Sequence, residues 1–214
     1  MDAYEAKKLI CESGLKLVKE GLVSRTWGNI SCRIDDNSFA ITPSGRTYEA
    51  LAPEDVVIVN MHDLKHEGNI KPSSEKGMHA EAYKQRPDVN AVIHTHQMNA
   101  STVAAAQREI PGIKGPNATI VGSDIRVAAY ALPGTKKLKM AAAKALEGRN
   151  AALLANHGAV CIGKDMEAAF IVAKTLEEVC QSFIESQFLE KYSEFQEFSV
   201  DVMHQVYLEK FSAR

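Results

Sequence analysis

The sequence carries no excess of either charge: 25 lysines and arginines face 27 aspartates and glutamates, for a formal net charge of -2. That balance excludes a nucleic-acid partner held by a basic face. The cluster Lys136, Lys137 and Lys139 reads as a solvated helix face. Cysteine is scarce. Cys11, Cys32, Cys161 and Cys180 form no C-x-x-C pair, which argues against a disulfide scaffold and for a reduced, cytoplasmic protein. No apolar run approaches the roughly 18 residues of a membrane span, and Met1–Glu5 opens without an apolar signal core. No membrane partner is therefore expected. Neither G-x-x-x-x-G-K-[ST] nor G-x-G-x-x-G occurs, so the familiar nucleotide loops are absent. Internal repeats, low-complexity tracts and linkers are lacking too, so one domain over residues 1–214 is the expected organisation.

What is present is a mixture of helical and strand periodicities. Residues 3–20 are amphipathic, with Asp2 placed to cap them and Gly21 to stop them. Residues 24–33 read as a loop entering a strand near Ile30, and 38–42 and 56–59 read as further strands. A helix is expected over 74–86, ended by Pro87, and another over 99–109, ended by Pro111-Gly112. Short strands are expected at 119–121 and 125–127, a helix at 134–146, and strands at 151–155 and 159–162. Asp165 caps a long helix to about 191, and a last helix is read over 199–211. Short turns between strands favour antiparallel pairing. The expected class is α/β, three layers α/β/α, with a central mixed, mostly antiparallel sheet.

One strand ends in chemistry. In Ala91-Val92-Ile93-His94-Thr95-His96 the β-branched run predicts a buried strand, and its period of two sends both imidazoles to one face. Such a pair either chelates a cation or is two satisfied polar residues at a strand end. Asn156-His157-Gly158, in a turn between two apolar runs, offers a third imidazole. Three protein ligands with one open position is the pattern of catalytic zinc. His62 and His66 sit in a polar loop and read as solvated, as His204 reads as surface. His79 lies one turn after Glu75, close enough to support a ligand from behind. Glu75 is either an ordinary acidic residue of a first helical turn or a carboxylate that binds the metal and serves as a base.

Three turns remain: Gly28-Asn29, Ser44-Gly45 and Ser73-Ser74. Singly each is an ordinary turn. Together, their hydroxyls and backbone N–H groups could form an anion cradle.

The order Thr26-Trp27-Gly28-Asn29-Ile30-Ser31, Thr42-Pro43-Ser44-Gly45, Pro72-Ser73-Ser74-Glu75, His94-Thr95-His96, Asn156-His157-Gly158 resembles the zinc-dependent class II aldolase/epimerase/adducin-head family over about residues 5–185. The resemblance implies that fold, and a homotetramer with active sites between subunits. It implies one Zn²⁺ per subunit on His94, His96 and His157, with Glu75 as acid/base and additional ligand. It places the substrate phosphate on Gly28, Asn29, Ser44, Gly45, Ser73 and Ser74. The implied activity is reversible aldol cleavage of a ketose 1-phosphate like L-fuculose 1-phosphate, giving dihydroxyacetone phosphate and a short aldehyde. Sibling activities are a pentulose-5-phosphate 4-epimerase or a deoxypentulose-1-phosphate aldolase. Another class is a non-catalytic adducin-head binding domain, although such heads lose the metal histidines that this chain keeps. The chain departs from the family at two positions. The aldolases' catalytic tyrosine falls on Gly115, and the epimerases' aspartate falls on Thr119. Asp124, Tyr130 and Tyr207 are candidate substitutes.

Overall fold

A computed structural model of the chain describes residues 1–23, 26–191 and 205. The helix read over 199–211, with His204 and Tyr207, lies outside the described residues apart from the lone position 205. Seven strands form one sheet: β1 (Asn29–Arg33), β2 (Ser38–Ile41), β3 (Val57–Asn60), β4 (Ala91–Thr95), β5 (Val127–Ala128), β6 (Ala151–Leu154) and β7 (Gly158–Gly163). Their order is β3-β2-β1-β4-β7-β6-β5, and every pairing is antiparallel except β5 with β6. The α-helices are α1 (Ala3–Lys19), α2 (Lys76–Gln85), α3 (Met98–Ala105), α4 (Gly115–Val121), α5 (Lys136–Leu146) and α6 (Met166–Lys191).

Strand alternation divides the core into two layers. Ile30, Cys32, Ile93, Leu153 and Cys161 point to one face, where they pack with Ile10 and Leu17 of α1, Val103 of α3 and Phe170 and Leu176 of α6. Val92, Leu154, Val160 and Ile162 point to the other, with Met78 and Tyr83 of α2 and Leu138 and Leu146 of α5. The three-layer expectation holds. The strands with both faces covered read as continuous apolar runs for that reason. The caps also hold. The Asp2 carboxylate accepts from the Tyr4 and Glu5 N–H groups at 2.8 Å, and Glu5 reaches back to the Asp2 N–H at 3.2 Å. Asp165 likewise accepts from the Ala168 N–H at 2.7 Å.

The expected strand at 119–121 is instead part of helix α4. Pro116 stands in its first turn, where a missing N–H costs nothing, and Gly122 ends it at φ 123°. Val121 gains full burial against the α6 side of the core. That packing outweighs the strand preference of Thr119, Ile120 and Val121. The neighbouring strand is also displaced: Ile125 makes only an isolated bridge with Ile110, and β5 begins at Val127. Helix α3 stops at Ala105, short of the expected 109.

Asp124 does not reach the histidines. Its carboxylate is bonded to the buried Arg149 guanidinium, with Arg126 at 3.5 Å. Burial pushes the Asp124 carboxyl up, but Arg149 and then Arg126 outweigh it and hold it below the usual range. A depressed folded-state value contributes stability above the ordinary aspartate range and loses it as the pH falls through the folded value. Asp124→Asn is therefore expected to lower stability at neutral pH and to flatten its decline on acidification, measured by urea unfolding at a series of pH values. Ile93 is fully buried at the centre of the sheet. Ile93→Ala is expected to cost about 2–5 kcal/mol in the same assay.

Candidate metal centre

His94 stands near the end of β4, on the α2 face of the sheet. Its Nδ1–H donates to the Ala159 carbonyl at 2.8 Å, which leaves Nε2 bare and aimed into the site. His96 lies just past the strand, in the turn before α3. That helix has no side-chain cap of its own. Glu177 of α6 supplies one, accepting from the Asn99 N–H at 2.7 Å and the Ala100 N–H at 2.9 Å. Gln97 donates to the Ala173 carbonyl at 2.9 Å. Two anchors on α6 thus fix the turn that carries His96. Sequence reading missed Glu177, because nothing local connects it to a turn nearly 80 residues earlier.

His157 arrives on the turn between β6 and β7. Asn156 takes the left-handed conformation there, φ 54°, which asparagine tolerates better than most residues. Gly158 starts β7 so close to β4 that an added Cβ would lie 2.3 Å from the Thr95 carbonyl oxygen. On the other side of β4, Gly28 at φ +82° leaves only 2.6 Å between an added Cβ and the His94 carbonyl oxygen. Two glycines therefore let neighbouring chains close onto the histidine strand.

The three imidazoles gather as the sequence predicts. One ligand atom from each of His94, His96 and His157 lies within 4.8 Å of the others. His94 Nε2 and His96 Nε2 are 2.9 Å apart. Two nitrogen lone pairs at that distance repel unless a proton or a cation lies between them. Burial and then the neighbouring imidazole of His94 push His96 down to about 3, and the same causes lower His157. Both are neutral ligands near pH 7. Glu75 sits at the cap position of α2, yet its carboxylate makes no cap and turns inward. Its Oε2 is 3.2 Å from His94 Nε2, and its Oε1 is 3.4 Å from His157 Nε2. Burial raises the Glu75 carboxyl, but His94, His157 and the Asn29 amide outweigh it and hold it below the ordinary range. Oε1 and the Nδ1 of His157 are buried without hydrogen-bond partners. This donor set of three nitrogens and one carboxylate, with bare atoms converging, fits a divalent cation such as zinc.

A match to the class II aldolase and adducin N-terminal domain covers residues 8–184. The chain belongs to that family. A 5-deoxy-D-ribulose 1-phosphate aldolase of Bacillus thuringiensis is 39% identical over 175 residues, 81% of this chain and 82% of that one. The L-fuculose phosphate aldolase of Escherichia coli K12 is 35% identical over 184 residues, 86% and 85% of the two chains. A solved L-fuculose 1-phosphate aldolase superposes with a TM-score of 0.81 at 33% identity, covering 97% of this chain and 96% of that one. These relatives are named as aldolases of sugar phosphates.

Backbone hydrogen bonds link the segments that carry the six cradle positions. The Ser44 N–H donates to the Lys71 carbonyl at 2.9 Å and the Ser73 N–H to the Thr42 carbonyl at 3.0 Å, which zips the two serine turns together. Thr42 also pairs with Ile30, next to Gly28-Asn29. Ser44, Gly45 and Ser74 are exposed, while Asn29 and Ser73 are buried. The helix N-terminus read at Ser73-Ser74 begins two residues later, at Lys76. The Asn29 carboxamide is committed inward, donating to Glu75 Oε2 at 2.9 Å. His62 and His66 are exposed, as expected. Gly115 opens α4 in the open, Thr119 is exposed on the same helix, and Tyr130 is half exposed.

Gly158→Ala is expected to push β7 off β4 and open the imidazole cluster. Cobalt titration followed by visible absorption should show at least a tenfold weaker site, roughly the loss seen when a ligand's support is removed. Wild-type cobalt affinity would contradict the close-approach argument.

Proposed function

We propose that this chain is a zinc-dependent aldolase that reversibly cleaves a ketose 1-phosphate into dihydroxyacetone phosphate and a short aldehyde. The observation that carries the reading is the gathering of His94, His96 and His157 with the buried Glu75 carboxylate. His94, His96, His157 and, in the absence of substrate, Glu75 would hold one Zn²⁺ per subunit. When bound, that ion supplies Lewis-acid polarisation of the ketose carbonyl.

The chain's own residues do the rest. Gly28, Asn29, Ser44, Gly45, Ser73 and Ser74 anchor the phosphate, with donors taken from the hydroxyls and from backbone N–H groups not used in the zipper. Cleavage breaks the C3–C4 bond, and its electron pair moves toward the ketose carbonyl. Glu75, after taking a proton from water, delivers it to C3, which becomes the hydroxymethyl carbon of dihydroxyacetone phosphate. The C4 hydroxyl proton passes to water on the aldehyde side, where this chain has Gly115 in place of the family's tyrosine. Relatives acting on L-fuculose phosphate and on 5-deoxyribulose 1-phosphate point to one substrate class, a 1-phosphorylated ketose ending in a methyl group. The higher identity to the 5-deoxy-D-ribulose 1-phosphate aldolase, 39% against 35%, favours the five-carbon deoxy member within that class. A 4-epimerase would need an acid at the Thr119 position, which is an exposed helix residue here. A single domain, a cytoplasmic location and a homotetramer with sites between subunits belong to the same reading. Free thiols at all four cysteines are in keeping with it.

The test is a panel of fuculose, rhamnulose, ribulose and deoxyribulose phosphates, with enzyme-coupled detection of dihydroxyacetone phosphate. Cleavage should require added or resident zinc and be lost in His94→Ala together with the metal. Glu75→Gln should retain the metal and lose about 100-fold or more in kcat. No cleavage of any member by zinc-loaded protein would leave a non-catalytic binding head as the better reading.

A further inference from the structure

Behind the Glu75 carboxylate runs a buried hydrogen-bond chain through Asn29, His79, Ser31 and Tyr83. Helix α2 presents Glu75, His79 and Tyr83 at four-residue spacing, hence on one face. Strand β1 presents Asn29 and Ser31 at two-residue spacing, also on one face. The two rows interleave. Asn29 Nδ2 lies 2.9 Å from Glu75 Oε2, and Asn29 Oδ1 meets His79 Nε2. His79 Nδ1 lies 2.6 Å from Ser31 Oγ, and Ser31 Oγ lies 2.7 Å from the Tyr83 hydroxyl. All four partners are buried, His79 and Ser31 completely.

The carboxylate fixes the direction of every link. An ionised carboxylate only accepts, so the Asn29 amide nitrogen donates to it. The amide oxygen then accepts, and its donor is the Nε2–H of His79. That tautomer leaves Nδ1 bare, so Nδ1 accepts from the Ser31 hydroxyl. The Ser31 oxygen in turn accepts from Tyr83. Donors therefore point toward Glu75 from end to end, and each bond polarises the next. The far end is also held: Arg33 of β1 donates to the Tyr83 carbonyl at 2.8 Å and lies over its ring at 5.0 Å.

We propose that His79 is a positioning residue that acts through Asn29 to tether Oε2 of Glu75, leaving Oε1 as the oxygen that carries the proton. Oε1 is the carboxylate oxygen without a hydrogen-bond partner. The proposal rests on Glu75 being the proton-transfer group of the reaction proposed above. It divides the carboxylate into a fixed atom and a working one, and restricts rotation that would exchange them.

The test uses the full chain, labelled with ¹⁵N-histidine, both metal-free and zinc-loaded. Long-range ¹H–¹⁵N correlation should show one buried imidazole in the Nε2–H form in both states, and His79→Gln should remove that signal. In turnover, His79→Phe should lower kcat about 10- to 100-fold with KM unchanged. His79→Gln should recover most of that loss, because its amide can still donate to Asn29. An Nδ1–H or doubly protonated His79, or wild-type kcat in His79→Phe, would overturn the proposal. Should His79→Phe fail to fold, Ser31→Ala takes its place, with a smaller fall in kcat expected and an unchanged kcat counting against the chain. If no sugar phosphate is cleaved, the functional reading fails, and the tautomer measurement alone decides for or against the hydrogen-bond chain.

Discussion

A carboxylate buried among imidazoles is the constraint to which the neighbouring elements answer. Taking such an ion out of water costs on the order of several kcal/mol even after relaxation. Glu75 therefore needs a donor or a cation against each oxygen. His94 and His157 approach from β4 and the β6–β7 turn, and the Asn29 amide donates from β1. The register follows from this: Asn29 is paired directly with His94 across the β1–β4 ladder. A slip of β1 by one residue would send Asn29 to the opposite face of the sheet and take its amide away from the carboxylate. Gly28 and Gly158 are the steric counterpart, since each lets a neighbouring backbone come close enough for the pairing to form.

Much of this is legible in the sequence because the chemistry is carried by short contiguous strings. His94-Thr95-His96 places two ligands by strand period alone, and Asn156-His157-Gly158 announces its turn by residue type. The sheet class and two core faces follow from periodicity. What is not legible depends on burial that propensity cannot see. Thr119-Ile120-Val121 has strand-forming side chains, yet helix α4 seats Val121 in the core. Glu177 caps a helix far away in sequence, and no local pattern announces it. Asp124 is suggestive as a spare acid until its ion pair with Arg149 is seen.

The row of Glu75, His79 and Tyr83 is a different case, because its signal is in the sequence. Polar residues at i, i+4 and i+8 on a helix, opposite polar residues at i and i+2 on a strand, are a facing pair of stripes. Each stripe alone resembles an ordinary polar face. Only the sheet topology, which sets β1 beside β4 and α2 across them, turns the two into one hydrogen-bonded row.

The site is unequal in how much of it this chain builds. His94, the Glu75 carboxylate and the tethers behind it are buried and bonded to one another, while His96 and His157 are half-buried. On the open side stand exposed groups: Trp27, with its ring 5.8 Å from that of His96, and Met98, beyond the same turn. In the proposed reaction the buried half handles the ketose carbonyl and its proton, while the exposed Ser44, Gly45 and Ser74 meet the phosphate that every substrate of the class shares. The open half meets what differs, the aldehyde end, and offers apolar surface there rather than a fixed acid. A rigid inner half with a sparse outer half predisposes the chain to discriminate strongly on the phosphate and ketone and weakly on the aldehyde. Apolar contact separates groups differing by one methylene by only about 1–3 kcal/mol, whereas a site built from hydrogen bonds rejects a missing partner far more strongly.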